Sequence, residues 1–154
     1  MPTLHIIVAS TSGHTEYVVD TLIAELQKKR PQLSVEKQRA ELAKPEDLLR
    51  GDVLLLATSS WNTGSIEGQL NPHMHAFLKE RAANIDLGGK NVAVIGLGDH
   101  RYYYTAKAAD HLIDFVRTHN GVLIEPVLRI INEPYGQEKI VQEWGKEFLS
   151  AIIL

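Results

Sequence analysis

The sequence contains no cysteine among its 154 residues, and this absence removes several classes of chemistry at once. Thiolate nucleophiles, paired redox thiols, iron–sulfur clusters, cysteine-ligated zinc and disulfides all require that side chain. Any redox function of this protein must therefore use a bound cofactor.

An excess of positive charge is also missing, since 16 Lys and Arg face 19 Asp and Glu for a formal net charge of −3. The charges are scattered, so we expect no nucleic-acid binding. No apolar run approaches the roughly 18 residues that a membrane span needs, and no basic segment precedes the first apolar run. We therefore expect a cytoplasmic protein that does not bind membranes, with residues 1–154 forming a single domain.

Short apolar runs rich in β-branched residues alternate with longer amphipathic stretches along the whole chain. The pattern predicts strands at Leu4–Ala9, Ser34–Gln38, Val53–Ala57, Asn91–Leu97 and Val122–Ile131. Between the strands it predicts helices around Tyr17–Leu26, Leu70–Arg81 and Thr105–His119, and Gly121 is expected to cap the third of these. After the last strand it predicts a fourth helix, which Pro134 opens. This alternation is typical of a doubly wound parallel sheet, in which ligands bind at the carboxyl ends of the strands.

The loop after the first strand, Ser10–Thr15, combines four hydroxyl side chains with Gly13 and His14 immediately before a helix. Hydroxyls, free backbone amides and the helix dipole together form a phosphate cradle. Neither GxxxxGK[ST] nor GxGxxG is present here, and the loop has no Lys or Arg. It therefore suits one buried terminal phosphate, the alternative being a Ser- and Thr-rich helix cap.

Two further loops carry aromatic residues at predicted strand ends. The second loop, Thr58–Glu67, places Trp61 among small polar residues, and the alternative is a tryptophan packed into a satellite core. The third loop, Gly96–Tyr104, holds three of the five tyrosines, and its Gly96-x-Gly98 is a weak dinucleotide fingerprint that follows the wrong strand. Two aromatic loops beside a phosphate cradle indicate a planar ring held between aromatic faces.

These three loops, in this order, resemble those of the flavodoxin family, and more closely its short-chain type, over essentially the whole chain. Ser10-x-Ser12-Gly13-x-Thr15 is similar to the family's loop for the FMN phosphate. The resemblance implies an α/β fold with a flavodoxin-like doubly wound five-stranded parallel sheet, strand order 2-1-3-4-5, and helices on both faces. It also implies one non-covalent FMN.

The resemblance further implies a role for individual residues. Ser59 adds a hydroxyl to the phosphate site, Trp61 covers the inner face of the isoalloxazine, and Tyr102 stacks on its outer face. Backbone near Asp99 and Ala106 meets the pyrimidine edge. The residues expected to bind the cofactor are Ser10, Thr11, Ser12, Gly13, His14, Thr15, Ser59, Ser60, Trp61, Asn62, Thr63, Gly64, Leu97, Gly98, Asp99, Tyr102, Tyr104 and Ala106.

The sequence departs from well-studied flavodoxins in its charge near the flavin. Those proteins are markedly acidic there, whereas the second loop here supplies Asn62, Thr63 and Gly64, and Arg101 follows Asp99. The departure bears on the redox potentials and on docking to basic partner enzymes, which relies on opposite charge. It does not affect the residues that resemble the phosphate loop.

The function that these features favour is an electron carrier that shuttles single electrons between redox enzymes, which dock at the exposed flavin edge. We expect a monomer. We also expect no catalytic residues, because no acid–base set lies beyond the flavin site. Metal binding by His73 and His75 is not expected, because helical residues two apart face different directions. Two alternatives remain: an FMN-dependent oxidoreductase of the quinone or nitro reductase type, and a flavin-free module that binds partner proteins.

Overall fold

The structure, a computed structural model, describes residues 2–63, 66–98 and 107–153. Its strands are β1 (Thr3–Ala9), β2 (Ser34–Arg39), β3 (Val53–Thr63), β4 (Ile66–Leu70), β5 (Asn91–Gly98), β6 (Val122–Leu123) and β7 (Leu128–Ile131). Its helices are α1 (His14–Lys29), α2 (Pro72–His75), α3 (Lys107–Thr118) and α4 (Glu138–Ile152). Two 3₁₀ turns, Ala40–Leu42 and Pro45–Leu49, precede β3, and a π-helical segment, Ala76–Arg81, continues α2.

The strands form a sheet of order β2-β1-β3-β5, in which all neighbours are parallel. Both β6 and β7 pair in parallel with β5 and together occupy the fifth position. The α/β doubly wound sheet and the order expected for its five main strands are therefore confirmed. The antiparallel strand β4, which pairs with β3, is an addition that the expected fold did not contain.

The last strand, expected to run unbroken from Val122 to Ile131, is divided into β6 and β7. Pro126 lies in the break and has no N–H to donate to a strand ladder. Its carbonyl oxygen instead accepts a hydrogen bond from the indole N–H of Trp144 at 2.8 Å. The division therefore follows from proline chemistry, and a side chain of α4 covers the break.

The second loop, expected over Thr58–Glu67, is partly strand. β3 continues through Thr63 and turns back into β4, with Ser60 opposite Leu70 and Trp61 opposite Gln69. Threonine and tryptophan fit a pleated strand well, so the polar composition that indicated a loop did not exclude a hairpin. The prediction was therefore wrong about this segment's backbone and right that it follows a buried strand.

The predicted cap at Gly121 is also wrong, because Asn120 is the residue that adopts the left-handed conformation after α3, with φ 64°. The amide of Gly121 donates to the Val116 carbonyl at 2.8 Å. A Cβ on Gly121 would lie 2.8 Å from side-chain carbons of Leu87 and Val116. Glycine is therefore required there for close packing.

Pro134 does not open the last helix, which begins four residues later at Glu138. The amide of Gln137 donates to the Pro134 carbonyl at 2.9 Å and closes a turn that precedes the helix. Gly136 has φ 90° within this turn, a conformation that side chains disfavour. The proline therefore begins a turn, and the helix follows it. In the same way, the second predicted helix starts at Pro72, because Leu70 ends β4.

Two hydrophobic cores lie on opposite faces of the sheet, and the strands supply them by strict alternation. The first core joins α1 and α4 to alternate residues of each strand, which in β3 are Val53, Leu55 and Ala57. The second joins α2 and α3 to the intervening residues, Leu54 and Leu56. Helices therefore cover both faces, as expected. Because side chains alternate along a strand, odd-numbered residues of β3 face α1 and even-numbered ones face α3.

We predict that Gly96→Ala lowers the free energy of unfolding by about 1–3 kcal/mol, because the new methyl overpacks the contact between β5 and α3. An added Cβ at Gly96 would lie 2.6 Å from the Ala109 Cβ and 2.7 Å from its amide nitrogen. Urea unfolding of the single variants and of the Gly96→Ala/Ala109→Gly pair forms a double-mutant cycle. The cost of Gly96→Ala should be smaller in the Ala109→Gly background, and an equal cost in both backgrounds would exclude the contact between the two β-carbons.

Candidate functional site

The carboxyl ends of β1, β3 and β5 meet at one edge of the sheet. Ala9 pairs with Thr58, and Ser59 pairs with Leu97, so the three strands end at nearly the same level. The structure therefore brings together the Ser10–Thr15 loop, the Ser59–Ser60 pair and the Leu97–Gly98 pair. For Trp61, Asn62 and Thr63, the structure describes only the backbone, which belongs to β3. Gly64, Asp99, Arg101, Tyr102, Tyr104 and Ala106 lie outside the described residues.

The first loop turns from β1 into α1 through a single glycine. Gly13 has φ 90°, and no atom lies within 4 Å of where its Cβ would be, so backbone conformation alone favours glycine here. The Ser10 hydroxyl accepts hydrogen bonds from the amides of Gly13 at 3.1 Å and Glu16 at 3.4 Å. Ser10 therefore stabilises the turn, which is the role that the capping interpretation assigned to the loop.

Several donors of the same loop remain available for a ligand. Within residues 2–63, 66–98 and 107–153, the amides of Ser12, His14 and Thr15 have no hydrogen-bond acceptor, and neither do the hydroxyls of Thr11 and Ser12. Thr11 and Ser12 are exposed, whereas the side chain of Thr15 is buried. Unsatisfied amides at the positive end of a helix favour an anion. The loop is therefore a suitable cradle for one phosphate group.

Two cations that sequence analysis missed neutralise the carboxylate nearest this cradle. Glu16, in the first turn of α1, accepts hydrogen bonds from Lys37 at 2.9 Å and Arg39 at 3.2 Å. The hydrogen bond from Lys37 is the main reason that the pKa of Glu16 lies below its usual value. Both cations come from β2, more than twenty residues along the chain, and only the parallel pairing of β1 with β2 indicates their proximity. A bound anion therefore does not face an unpaired carboxylate.

Ser59 and Ser60 have different roles because consecutive strand residues point to opposite faces. Ser60 continues the series that packs against α3, and its hydroxyl accepts a hydrogen bond from the Ala108 amide at 3.0 Å. Ser59 continues the series on the α1 face, and its hydroxyl makes no hydrogen bond within the described part of the chain. The Ser60 hydroxyl, expected at the cofactor, therefore holds the first turn of α3, and Ser59 remains the candidate phosphate ligand.

Asn71 is a polar residue of this edge that the sequence analysis did not identify. It is fully buried, its amide donates to the Ser59 carbonyl at 3.1 Å, and its Oδ1 accepts from the His73 amide at 2.9 Å at the start of α2. Its Nδ2 has no partner among the described residues. An unsatisfied buried donor costs about 1–3 kcal/mol. An Asn followed by Pro at the start of a helix was the available sequence signal.

An aromatic cluster joins the first turn of α1 to the turn before α4. The Tyr17 hydroxyl donates to the Glu138 carboxylate at 2.6 Å, and the Tyr135 ring contacts the rings of Tyr17 and His14 at centroid distances of 4.8 and 5.5 Å. The hydrogen bond from the Tyr17 hydroxyl to Glu138 raises the pKa of Tyr17 and lowers the pKa of Glu138. This cluster fixes the outer side of the cradle, where His14 lies.

The third strand end offers backbone groups. The side chain of Leu97 is buried in the first core, so only its main chain can reach a ligand at the edge. The carbonyl of Gly98 accepts a hydrogen bond from the Asn132 amide at 2.7 Å, which ties the end of β5 to the end of β7. The part of the third loop closest to the sheet is therefore held firmly in place.

Comparisons with known proteins agree with this arrangement. Residues 6–144 match the family model described as Flavodoxin. The chain is 30% identical over 141 residues to a flavodoxin of Maridesulfovibrio salexigens, covering 91% of this chain and 92% of that one. Oxidised flavodoxin 2 of Bacillus cereus superposes with a TM-score of 0.86 at 26% identity, covering 97% of this chain and 99% of that one.

A third similar structure contains a flavin ligand. The flavodoxin of Fusobacterium nucleatum, bound to flavin mononucleotide, superposes with a TM-score of 0.76 at 19% identity, covering 98% of this chain and 99% of that one. At that identity the likeness shows a shared fold. Among the helices of residues 2–63, 66–98 and 107–153, none has the length and apolar character that crossing a membrane requires.

We predict that Ser60→Ala lowers the free energy of unfolding by about 1–2 kcal/mol, because the buried end of α3 loses the acceptor for its Ala108 amide. Ser59→Ala should change it by less than about 0.5 kcal/mol, because the hydroxyl of Ser59 bonds to no described residue. Urea unfolding of the cofactor-free proteins measures both. Equal losses in the two variants would show that strand alternation does not separate their roles.

We predict that Tyr17→Phe destabilises the protein near neutral pH and that the difference narrows in acid. The pKa of Glu138 is lowered from 4.5 by the Tyr17 hydrogen bond, so that stabilisation is complete above about pH 4.5 and disappears as the pH falls through the folded-state pKa. Urea unfolding between pH 3 and 7 measures it. Tyr135→Phe is the control, since no hydrogen bond of its hydroxyl is described, and a pH-independent difference for Tyr17→Phe would exclude the proposed linkage.

Proposed function

The chain belongs to the flavodoxin family, and from this membership and the geometry of its sheet edge we propose that it is an electron carrier that binds one FMN non-covalently. Bound FMN supplies the redox chemistry, because its isoalloxazine ring accepts and returns electrons. The protein's own residues have to hold the phosphate, enclose the ring and leave one edge open to partner proteins.

One observation carries the proposal: Ser10 and Ser59 lie on the same face of the sheet, next to the free amides that begin α1. In β1 the residues facing α1 are Leu4, Ile6 and Val8, so Ser10 continues that series, as Ser59 does in β3. Hydroxyls and amides without a Lys or Arg in the loop can satisfy one terminal phosphate by hydrogen bonds and helix dipole. This donor set fits FMN better than riboflavin, which has no phosphate.

The rest of the proposed site follows from the family resemblance. We place Trp61 and Tyr102 on the two faces of the isoalloxazine, with backbone near Asp99 and Ala106 at its pyrimidine edge. The hairpin supports this placement, because it carries the backbone of Trp61 beyond Thr58, the last β3 residue paired with β1. The remaining expected contacts are Asn62, Thr63, Gly64, Leu97, Gly98 and Tyr104.

A carrier requires partners rather than a substrate pocket. We propose that redox proteins dock at the flavin edge between the second and third loops. Within the described part of the chain, no group of three or more His, Asp or Glu side chains is arranged to hold a metal. At this edge, Ser10, Thr11, Ser12 and Ser59 contribute hydroxyls and Asn71 a carboxamide, and such groups bind and orient a ligand.

We predict that the protein binds FMN more tightly than riboflavin and that Ser59→Ala removes part of this preference. Loss of a hydrogen bond to a buried phosphate costs about 1–3 kcal/mol, which corresponds to roughly 5- to 150-fold weaker FMN binding. Isothermal titration of the cofactor-free protein with each ligand measures it. Ser34→Ala, at the opposite end of the sheet next to Thr3, is the matched control.

Equal affinity of the unmodified protein for FMN and riboflavin would exclude a phosphate cradle. An FMN-dependent oxidoreductase would also prefer FMN over riboflavin, but it would in addition oxidise NAD(P)H with a quinone or a nitro compound as acceptor. Steady-state assays with those substrates therefore separate the two functions. We expect no turnover above that of free FMN, together with rapid electron exchange with a flavoprotein reductase.

A further inference from the structure

We propose that Asn71 is a further cofactor-binding residue, whose carboxamide nitrogen donates a hydrogen bond to the phosphate of bound FMN. The inference rests on the proposed function, since it requires FMN at the sheet edge. It assigns a ligand from the junction between β4 and α2, whereas the expected phosphate ligands come from the first loop and from β3.

The pairing of β4 with β3 places Asn71 on the same face as Ser59. Ser60 lies opposite Leu70, and the amide of Asn71 donates to the Ser59 carbonyl at 3.1 Å, so Asn71 is the residue opposite Ser59. Side chains directly opposite each other on antiparallel strands share a face, with β-carbons about 4.5–5.5 Å apart. That face is the one on which α1 begins, and Ser10 lies there too.

The hydrogen bonds of Asn71 determine which end of its carboxamide remains free. Oδ1 accepts from the His73 amide at 2.9 Å, an arrangement that requires oxygen at that position, so nitrogen occupies the other. This nitrogen is buried and has no partner among the described residues. The free end of the Asn71 carboxamide is therefore a donor with two N–H bonds, and it lies next to the Ser59 hydroxyl, which bonds to no described residue.

A phosphate group is the partner that suits this donor. Ionised phosphate oxygens accept hydrogen bonds and cannot donate them. A neutral carboxamide adds a donor to a cradle that has no Lys or Arg. The Glu16 carboxylate, the acidic group in the first turn of α1, is already paired with Lys37 and Arg39. A buried donor that is unsatisfied in the protein alone is satisfied once the anion binds.

Asn71→Asp provides the sharpest test, because aspartate keeps the oxygen that caps α2 and replaces the donor with a charged acceptor. Titration of the cofactor-free variant with FMN and with riboflavin should show FMN affinity reduced at least 10-fold and riboflavin affinity changed less than 2-fold. Asn91→Asp introduces the same charge at an exposed position where β5 begins and should change neither affinity.

Asn71→Ser keeps a capping oxygen without adding charge, so it tests the donor alone if the aspartate variant does not fold. FMN affinity should fall about 3- to 10-fold, again without a change for riboflavin. In the unmodified protein, the side-chain ¹H–¹⁵N signals of Asn71 should shift and exchange more slowly on addition of FMN, but not of riboflavin.

An unchanged ratio of FMN to riboflavin affinity in both Asn71 variants, or Asn71 signals that respond equally to the two ligands, would overturn the inference and would indicate that the carboxamide bonds to ordered water. The proposed function fails on a different result, the absence of any FMN preference in the unmodified protein. The two failures are therefore distinguishable.

Discussion

The alternation of side chains along β3 is the constraint on which the rest of the site depends. Leu54 and Leu56 point to the α3 face and Leu55 and Ala57 to the α1 face, each buried completely. Such burial fixes the register, because a shift by one residue would move every side chain of the strand into the opposite core, where its packing partners differ. The polar residues that follow inherit this order, so the hydrophobic core determines which serine faces the helix N-terminus.

From that constraint follows a division of labour at the sheet edge. On the α1 face, Ser10 and Ser59 lie beside the amides of His14 and Thr15, which have no hydrogen-bond acceptor among the described residues. On the α3 face, the Ser60 hydroxyl accepts a hydrogen bond from the Ala108 amide. The α1 face therefore keeps the Ser59 hydroxyl and the free amides of α1 available for a ligand, while Ser10 stabilises the turn into α1 and Ser60 secures α3. A ligand site benefits from this separation, because its donors are held in place before the ligand arrives.

The fold could be predicted from the sequence because its strongest signals are buried strands between amphipathic helices. The split of the last strand and the β3–β4 hairpin could not, because polar strand residues and a single proline leave little trace in apolar periodicity. The Ser10–Thr15 loop was identifiable from its composition. Lys37 and Arg39 were not, because only the pairing of β1 with β2 brings them to the edge. The Asn-Pro pair indicated a helix cap at Asn71, but only the pairing of β4 with β3 places that residue beside Ser59.

The most direct measurement is a crystal structure of the protein grown with FMN. The account predicts the phosphate on the α1 face, within hydrogen-bond distance of the amides of His14 and Thr15 and of the Ser59 hydroxyl, while the Ser60 hydroxyl still accepts from Ala108. A phosphate bonded to Ser60, or one directed into solvent away from the start of α1, would contradict the claim that strand alternation builds the site.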